Sequence, residues 1–267
     1  MPISRILTPK DIGETLKLIS NGGLILSGGQ ALVPEIRQGN YRKKITDLID
    51  ISNLTEINSK TSLKNSILSI GAGITIRELI EDQNVQGNAK FLIEAAHSLG
   101  DCQVRNSATL GGNLCWGEPR ANLLIALIAA STTVELVDKS MKIKKISLKT
   151  LYEQKISRGI KDFVLLSAEA NLNDITTSSY QEFSRQKNDL ALVNLALIEK
   201  GDLISGCIGG LFNYPFEFKK VEKSGMKTTI MNLVKTTKIT KMTNQFADFD
   251  HRLNILESIL SNTIRAD

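Results

Sequence analysis

The stretch Gly100–Pro119, GDCQVRNSATLGGNLCWGEP, gathers the residues of this chain best suited to hold an anion. It carries the adjacent glycines Gly111 and Gly112, the backbone-bonding side chains Asn106, Ser107, Thr109 and Asn113, and one arginine, Arg105. A glycine pair lets main chain approach a ligand closely, because no Cβ intervenes and positive φ costs little. Successive N–H groups of such a turn point the same way and form a concave anion site. Arg105 fits two roles, ligand to an anion or pin between this loop and a neighbouring acid. A second pair lies in Ser27-Gly28-Gly29-Gln30, between a short apolar strand, Leu24–Leu26, and an apolar segment, Ala31–Ile36, that reads as a helix start. A strand ending in two glycines and feeding a helix presents unpaired N–H groups to negative charge. Either pair alone is more often only a turn. Together, without a Walker lysine or a G-x-G-x-x-G run, they describe a split cradle for an extended phosphate ligand, not a P-loop or Rossmann site.

GDCQVRNSATLGGN resembles the flavin-binding signature of the FAD-binding (medium) subunits of the molybdenum hydroxylases, the xanthine dehydrogenase, carbon monoxide dehydrogenase and aldehyde oxidoreductase group. SGGQALVP is similar to the first motif of the same family and stands at the expected distance upstream. The order of elements follows the family over nearly the whole chain. The resemblance implies an α+β fold: a two-subdomain FAD-binding domain of the p-cresol methylhydroxylase and vanillyl-alcohol oxidase type, with a small C-terminal sheet-and-helix domain. It places the FAD-binding domain at residues 1–170, with subdomains of about 1–55 and 56–170, and a C-terminal domain of the carbon monoxide dehydrogenase flavoprotein type at 178–267.

The resemblance also implies a cofactor site. Leu26, Ser27, Gly28, Gly29, Gln30, Ala31 and Leu32 come from the first motif, and Thr109, Leu110, Gly111, Gly112 and Asn113 from the second. Thr109, Gly111, Gly112 and Asn113 would offer donors to the phosphates or ribityl chain, Gly28, Gly29 and Gln30 the opposite wall, and Leu110 a surface near the ring system. Asn122, Leu165, Asp189 and Leu190 are carried over by position. Asn122 stands where the family has an acid, so a hydroxyl partner is kept but the charged acceptor is lost. In Phe183-Ser184-Arg185-Gln186-Lys187-Asn188-Asp189-Leu190-Ala191, similar to a C-terminal family pattern, Arg185, Asp189 and Ala191 fit. Gln186, Asn188 and Leu190 depart, and Glu182 stands where the family often has lysine. No catalytic residue and no metal ligand is assigned. The cofactor would carry the redox chemistry, and the family places a [2Fe-2S] small subunit and a molybdopterin-bearing large subunit beside this one.

Around these motifs, Thr8-Pro9 reads as N-cap and first residue of a helix with Ile12, Leu16 and Ile19 at helical spacing, stopped at Asn21-Gly22-Gly23. With strand Leu24–Leu26 this gives a β-α-β start, and Ile45–Ile51 supplies another strand. Ile67–Gly71 is a strand, Thr75-Ile76-Arg77-Glu78 a capping box opening a helix through about Asp82, and Asn84–Asn88 a polar turn. Phe91–Leu99 and the wholly apolar Asn122–Ala130 are helices flanking the Gly100–Pro119 loop. Thr133–Val137 and Met141–Ser147 form a hairpin, followed by a short helix Leu148–Gln154 and a strand Phe163–Ala168. Asn171–Ser179 is polar and aperiodic, a linker. Beyond it Tyr180–Ser184, Ala191–Glu199 and Leu203–Gly209 read as a meander with a turn at Gly201-Asp202, and Thr228–Val234 and Arg252–Ile264 as helices. Leu253, Leu256, Ile259 and Leu260 share a face of the last.

A hydrophobic content of 42% with 23% charged residues is that of a globular protein, and 267 residues suffice for one large or two modest domains. The net charge of +5 comes from lysines scattered through Arg42-Lys43-Lys44, Lys142–Lys145 and Lys219–Lys223 without aromatic interleaving, so nucleic acid is not the expected partner. Cys102, Cys115 and Cys207 lack C-x-x-C spacing and are too few for an iron–sulfur cluster held by four cysteines; each reads as a small buried apolar residue. His97 has no second histidine at helical spacing with which to form a metal site, so a catalytic role is not the expected one. No leader-like or membrane-spanning run is seen, and a cytoplasmic protein is expected.

The reading favoured is an FAD-carrying electron-transfer subunit of a molybdenum hydroxylase, acting in a hetero-oligomer. Two others stay open. One is a free-standing flavoprotein reductase, as in the cell-wall precursor reductase that shares this fold; the stretch Tyr180–Ile198 offers it no evident proton donor beside basic partners. The other is an assembly subunit that has lost flavin, which the departures at Asn122, Glu182 and Leu190 keep alive.

Overall fold

The computed structural model describes residues 5–39, 47–57, 60–160 and 162–265. In chain order the elements are β1 (Arg5–Leu7), α1 (Ile12–Ser20), β2 (Leu24–Leu26), α2 (Leu32–Arg37), β3 (Asp47–Asp50), β4 (Ser62–Lys64), β5 (Ile67–Gly71) and α3 (Ile76–Glu81). Then come α4 (Gln83–Gln86), α5 (Lys90–His97), α6 (Cys102–Ser107), α7 (Leu110–Cys115), α8 (Asn122–Ala129), β6 (Thr133–Asp138), β7 (Ile143–Ser147) and α9 (Leu148–Gln154). The chain continues through β8 (Phe163–Asn171), β9 (Thr177–Phe183), β10 (Val193–Lys200), β11 (Leu203–Gly209), β12 (Phe216–Glu222), α10 (Met226–Thr236) and α11 (Phe249–Arg265).

The strands make three sheets: parallel β1-β3-β2, antiparallel β4-β5-β8-β6-β7 and antiparallel β12-β11-β10-β9. The expected β-α-β start is present, with the strand read at Ile45–Ile51 seen as β3; residues 45 and 46 lie outside the described residues. Helix α8 is the hub. Every one of its residues from Asn122 to Ala129 is buried, which fits a helix apolar all round and enclosed by other layers. It shares a core with α5 and with Leu136 and Ala168 of the second sheet, and Ala196, Ile198 and Cys207 of the third sheet join the same cluster. Tyr180, Ala196 and Cys207 stand side by side across β9, β10 and β11 on that face. The opposite face, with Leu195, Leu197, Ile204 and Ile208, packs on Ile230 and Val234 of α10 and Leu256 and Leu260 of α11. Burial on both faces explains why β10 is apolar at four successive positions, Leu195 to Ile198, rather than alternating.

Several local expectations change. Asp11, not Thr8, caps α1: its carboxylate accepts from Glu14 N at 2.8 Å while Glu14 accepts from Lys10 N at 2.8 Å, and this reciprocal pair outcompetes the Thr8-Pro9 start. Asn84–Asn88 contains a turn of helix, α4, because Asp82 accepts from Asn84 N and Val85 N. The Gly100–Pro119 stretch is two short helices instead of a loop, capped by Asp101 on Val104 N (2.8 Å) and Thr109 on Gly112 N (3.1 Å). The linker shrinks to residues 172–176, since Thr177 already pairs with Glu199 of β10. Strands β4 and β12 were not expected. In β12, Lys219 and Lys220 are exposed on the edge of the third sheet, where lysines discourage strand addition. The Thr75 capping box forms as read, with Glu78 accepting from Thr75 N at 2.8 Å.

Leu127, fully buried at the centre of α8, is the clearest probe of this shared core. Leu127→Ala is expected to lower the unfolding free energy by about 3 kcal/mol through lost burial plus a cavity, read as a fall in the urea midpoint.

Candidate functional site

Strand β2 and helix α6 deliver their ends to one point. Gly28 lies so close to the chain at Ser107 that a Cβ placed there would be 1.9 Å from the Ser107 carbonyl oxygen and 2.9 Å from Ala108 Cα. Only glycine permits this approach. Beside it the Ser27 and Thr109 hydroxyls are hydrogen-bonded at 3.1 Å, and Trp116 donates from Nε1 to Glu35 Oε1 at 2.7 Å. These contacts join the α2 side to the α6–α7 side and leave between them a cleft of about 330 Å³.

Of the expected residues, Ser27, Gly28, Gly29, Gln30, Ala31 and Leu32 line this cleft on one side. Thr109, Gly111, Gly112, Asn113, Asn122, Leu165, Asp189 and Leu190 line the rest. Leu26 and Leu110 do not. Leu26 turns into the small cluster of Ile36, Leu48 and Leu32 beneath the loop, and Leu110 is fully buried in the main core, so the expected place of Leu110 beside a ring is corrected. The cleft also includes residues that motif reading passed over, among them Glu35, Trp116, Leu99 and Val104. The single tryptophan next to the glycine motif was a signal that could have drawn attention.

The two glycine pairs differ in chemistry. Gly111 and Gly112 are not at positive φ; they sit in the first turn of α7. The N–H groups there are already engaged: Leu110 N on Ile74 O, Gly111 N on Ala72 O at 2.8 Å, Gly112 N on Thr109 Oγ1 and Asn113 N on Thr109 O. Gly111 is needed for packing, since a Cβ would stand 3.0 Å from both Ala72 Cβ and Ala72 O. The backbone donors expected of this loop are therefore found on the other one. Gly29 adopts φ +70°, and among the described residues the N–H groups of Gly28, Gly29, Gln30 and Ala31 have no intramolecular partner. Consecutive free donors around a left-handed glycine make an anion nest. Asn113 accepts from Leu123 N with Oδ1 at 3.2 Å, capping α8, and keeps its amide hydrogens.

Three arginines around the cleft are engaged by main-chain carbonyls or a neighbouring acid. Arg105 is a pin, but to carbonyls and not to an acid: it donates to Gly100 O at 2.6 Å, Leu99 O at 3.2 Å and His97 O at 3.3 Å, closing the end of α5. His97 itself is exposed. Arg120 is held by both oxygens of Glu118 and donates to Ala191 O at 3.2 Å. The buried Arg252 donates to Leu192 O at 2.5 Å and Gly210 O at 3.1 Å, and so supports the segment that carries Asp189 and Leu190. In that segment Asn188 takes φ +71°, a conformation asparagine accepts more readily than most residues. Of the cysteines only Cys207 is buried; Cys115 lines the cleft and Cys102 is exposed on the first turn of α6, against the expectation that all three would be core.

Asn122 and Glu182, the two positions where an acid and a lysine were expected, touch each other. Asn122 Nδ2 donates to Glu182 Oε2 at 2.8 Å, and Tyr180 Oη donates to the same oxygen at 2.9 Å. Burial pushes the Glu182 carboxyl pKa up, opposed by the Tyr180 and Asn122 donors. Burial also pushes the Tyr180 phenol well up.

The sequence pattern of the family described as "FAD binding domain in molybdopterin dehydrogenase" matches residues 2–168. The glyceraldehyde dehydrogenase medium chain of Sulfolobus acidocaldarius is 29% identical over 206 residues, 74% of this chain and 72% of that one. The carbon monoxide dehydrogenase medium chain of Hydrogenophaga pseudoflava is 33% identical over 114 residues, 42% of this chain and 39% of that one. A chain in the crystal structure of carbon monoxide dehydrogenase from Hydrogenophaga pseudoflava superposes with a TM-score of 0.84 at 19% identity, covering 98% of this chain and 96% of that one.

Because the raised pKa makes the folded protein hold the Glu182 proton more tightly than the unfolded chain does, ionising Glu182 costs stability, a cost absent below about pH 4.3 and growing as pH rises through the raised value. Glu182→Gln is therefore expected to melt above wild type at neutral pH, with the gap closing as the pH is lowered toward 4; thermal melts across a pH series check this.

Proposed function

The chain belongs to the family of FAD-binding domains in molybdopterin dehydrogenases, and on that premise we propose that it is the FAD-carrying electron-transfer subunit of a molybdenum hydroxylase. The observation that carries the proposal is the cleft between the Ser27–Leu32 and Thr109–Asn113 segments, with free main-chain donors on one wall and Asn113 and Asn122 on the others. Its donor set fits the group. A pyrophosphate would meet the nest of Gly28–Ala31, where dipoles replace charged side chains. Hydroxyls of a ribityl or ribose unit would find the amides of Gln30, Asn113 and Asn122, and Leu165 and Leu190 supply apolar walls that exclude water. FAD supplies the two-electron and one-electron chemistry that lets such a subunit join unlike partners.

On this reading residues 1–170 form the cofactor module and 178–267 the C-terminal module, which closes the cleft with Asp189 and Leu190. Electrons would arrive from a [2Fe-2S] small subunit, after substrate oxidation at a molybdenum-bearing large subunit, and leave to an external acceptor in the cytoplasm. The chain's three cysteines are too few to hold a four-cysteine cluster of its own. Among the described residues no helix is long and apolar enough to cross a membrane.

The chain, expressed alone and reconstituted, is expected to show visible flavin absorption and to release FAD, not FMN, on denaturation. Gly28→Ala, which drives a Cβ against the Ser107 carbonyl, is expected to reduce retained flavin at least about tenfold, a loss of ~1.4 kcal/mol or more. Wild-type flavin content in the folded variant would remove this contact from the site. The isolated flavoprotein is further expected not to be reduced by aldehydes or heteroaromatic substrates, and to be reduced once the two partner subunits are added. Rapid reduction of the chain alone would favour a free-standing flavoenzyme.

A further inference from the structure

Amide and hydroxyl orientations are usually ambiguous, but here a backbone carbonyl fixes a whole series of them. Asn194, wholly buried on β10, places Nδ2 at 2.9 Å from Arg120 O and at 2.9 Å from Tyr180 Oη. A carbonyl oxygen only accepts, so this side of Asn194 must be its nitrogen. Tyr180 then accepts from Asn194, and its one hydrogen goes to Glu182 Oε2. That oxygen accepts whether or not the carboxyl group carries a proton on its other oxygen. With no proton on Oε2 itself, Asn122 turns its nitrogen toward Glu182, and the acceptor it keeps for the cleft that it lines is the carbonyl Oδ1. The orientation has a cost, because Asn194 Oδ1 is left buried without a partner.

We infer that Glu182, which does not line the cleft, is a positioning residue that makes Asn122 an uncharged hydrogen-bond acceptor toward the bound nucleotide, so that this wall selects a hydroxyl or N–H donor on the ligand. The inference rests on the flavin reading of the cleft. The departures at 122 and 182 are then one linked change: an acceptor without charge facing the ligand, with the carboxylate moved one contact back.

The test is FAD affinity by titration, with folding of each variant checked by thermal melting. Glu182→Leu is expected to weaken binding about tenfold, since the oriented hydrogen bond is lost. Glu182→Gln keeps an acceptor for both donors and is expected to stay within about threefold of wild type. Asn122→Leu should lose about as much as Glu182→Leu, and the double variant no more than either, the signature of two residues acting through one contact. Asn122→Asp covers the case in which the leucine variants do not fold. Its carboxyl group would share a proton with Glu182; the ionisable groups around the pair are Tyr180 of β9 and Glu94 of α5, whose Oε2 takes the Tyr180 N–H at 2.7 Å, while Arg120 meets the network only through its backbone. Binding by Asn122→Asp is expected to match wild type at mildly acidic pH and to weaken about tenfold as pH rises and the shared proton is lost, whereas wild type stays flat. Wild-type affinity in folded Glu182→Leu, equal losses in Glu182→Leu and Glu182→Gln, multiplied losses in the double variant, or a flat Asn122→Asp profile would each overturn the inference while leaving the flavin reading intact. A wild-type protein that takes up no FAD would overturn both.

Discussion

The main chain at Gly28 rests on the main chain at Ser107 and Ala108 with no space for even one carbon between them. That contact joins segments far apart in sequence, and the cleft exists because of it. A side chain at Gly28 would part the end of β2 from the end of α6, and with them the Ser27–Thr109 hydroxyl pair and the Trp116–Glu35 bond. The capping residues serve the same end. Asp101 and Thr109 start α6 and α7 on either side of the contact, and Asn113 starts α8 behind it. Residues that look in sequence like ligands are in good part the carpentry of the loop.

On the proposed reading, an anion in the cleft would be met by dipoles. Arg105 closes a helix end, Arg120 is neutralised by Glu118 and Glu35 is spent on Trp116. Among the polar side chains that line the cleft the rest are amides and hydroxyls, with Asp189 paired to Arg185, and the walls between them are apolar. Neutral donors preserve specificity through geometry, because each must be met by an acceptor at the right distance, whereas a point charge tolerates displacement. The Asn122–Glu182 contact is likewise made without a cation.

The parts of the fold that could be read from sequence were those with strong local causes. The apolar run of α8, the Thr75 capping box, the hairpin β6–β7 and the strands β2, β5 and β11 fall where periodicity and turn residues put them. Short elements fixed by a single capping residue, such as α4 and α6, were hidden because a cap leaves no periodic trace. Strand β12 was hidden by its lysines, which mark an edge and not a loop. The site was legible as a motif but not as chemistry. Nothing in a Gly-Gly pair tells whether its N–H groups are free, as at Gly28, or already bonded, as at Gly111. Nor could the sequence show that positions 122 and 182 are neighbours, since they stand on a helix and a strand brought together only by the packing of the third sheet on α8.

The third sheet gives one face to α5 and α8 and the other to α10 and α11. The peptide at residues 172–176 is thus a tether and not the joint. Tyr180, Ala196, Ile198 and Cys207 belong to the same apolar cluster as Leu92, Ala96 and Leu127, so a chain severed at the tether would leave two fragments with matching bare faces. Such halves complement one another as subunits do, by burying what each alone exposes to water. The chain divides cleanly as text and not as a solid: the third sheet and the helices α5 and α8 each cover apolar surface that the other would leave to water.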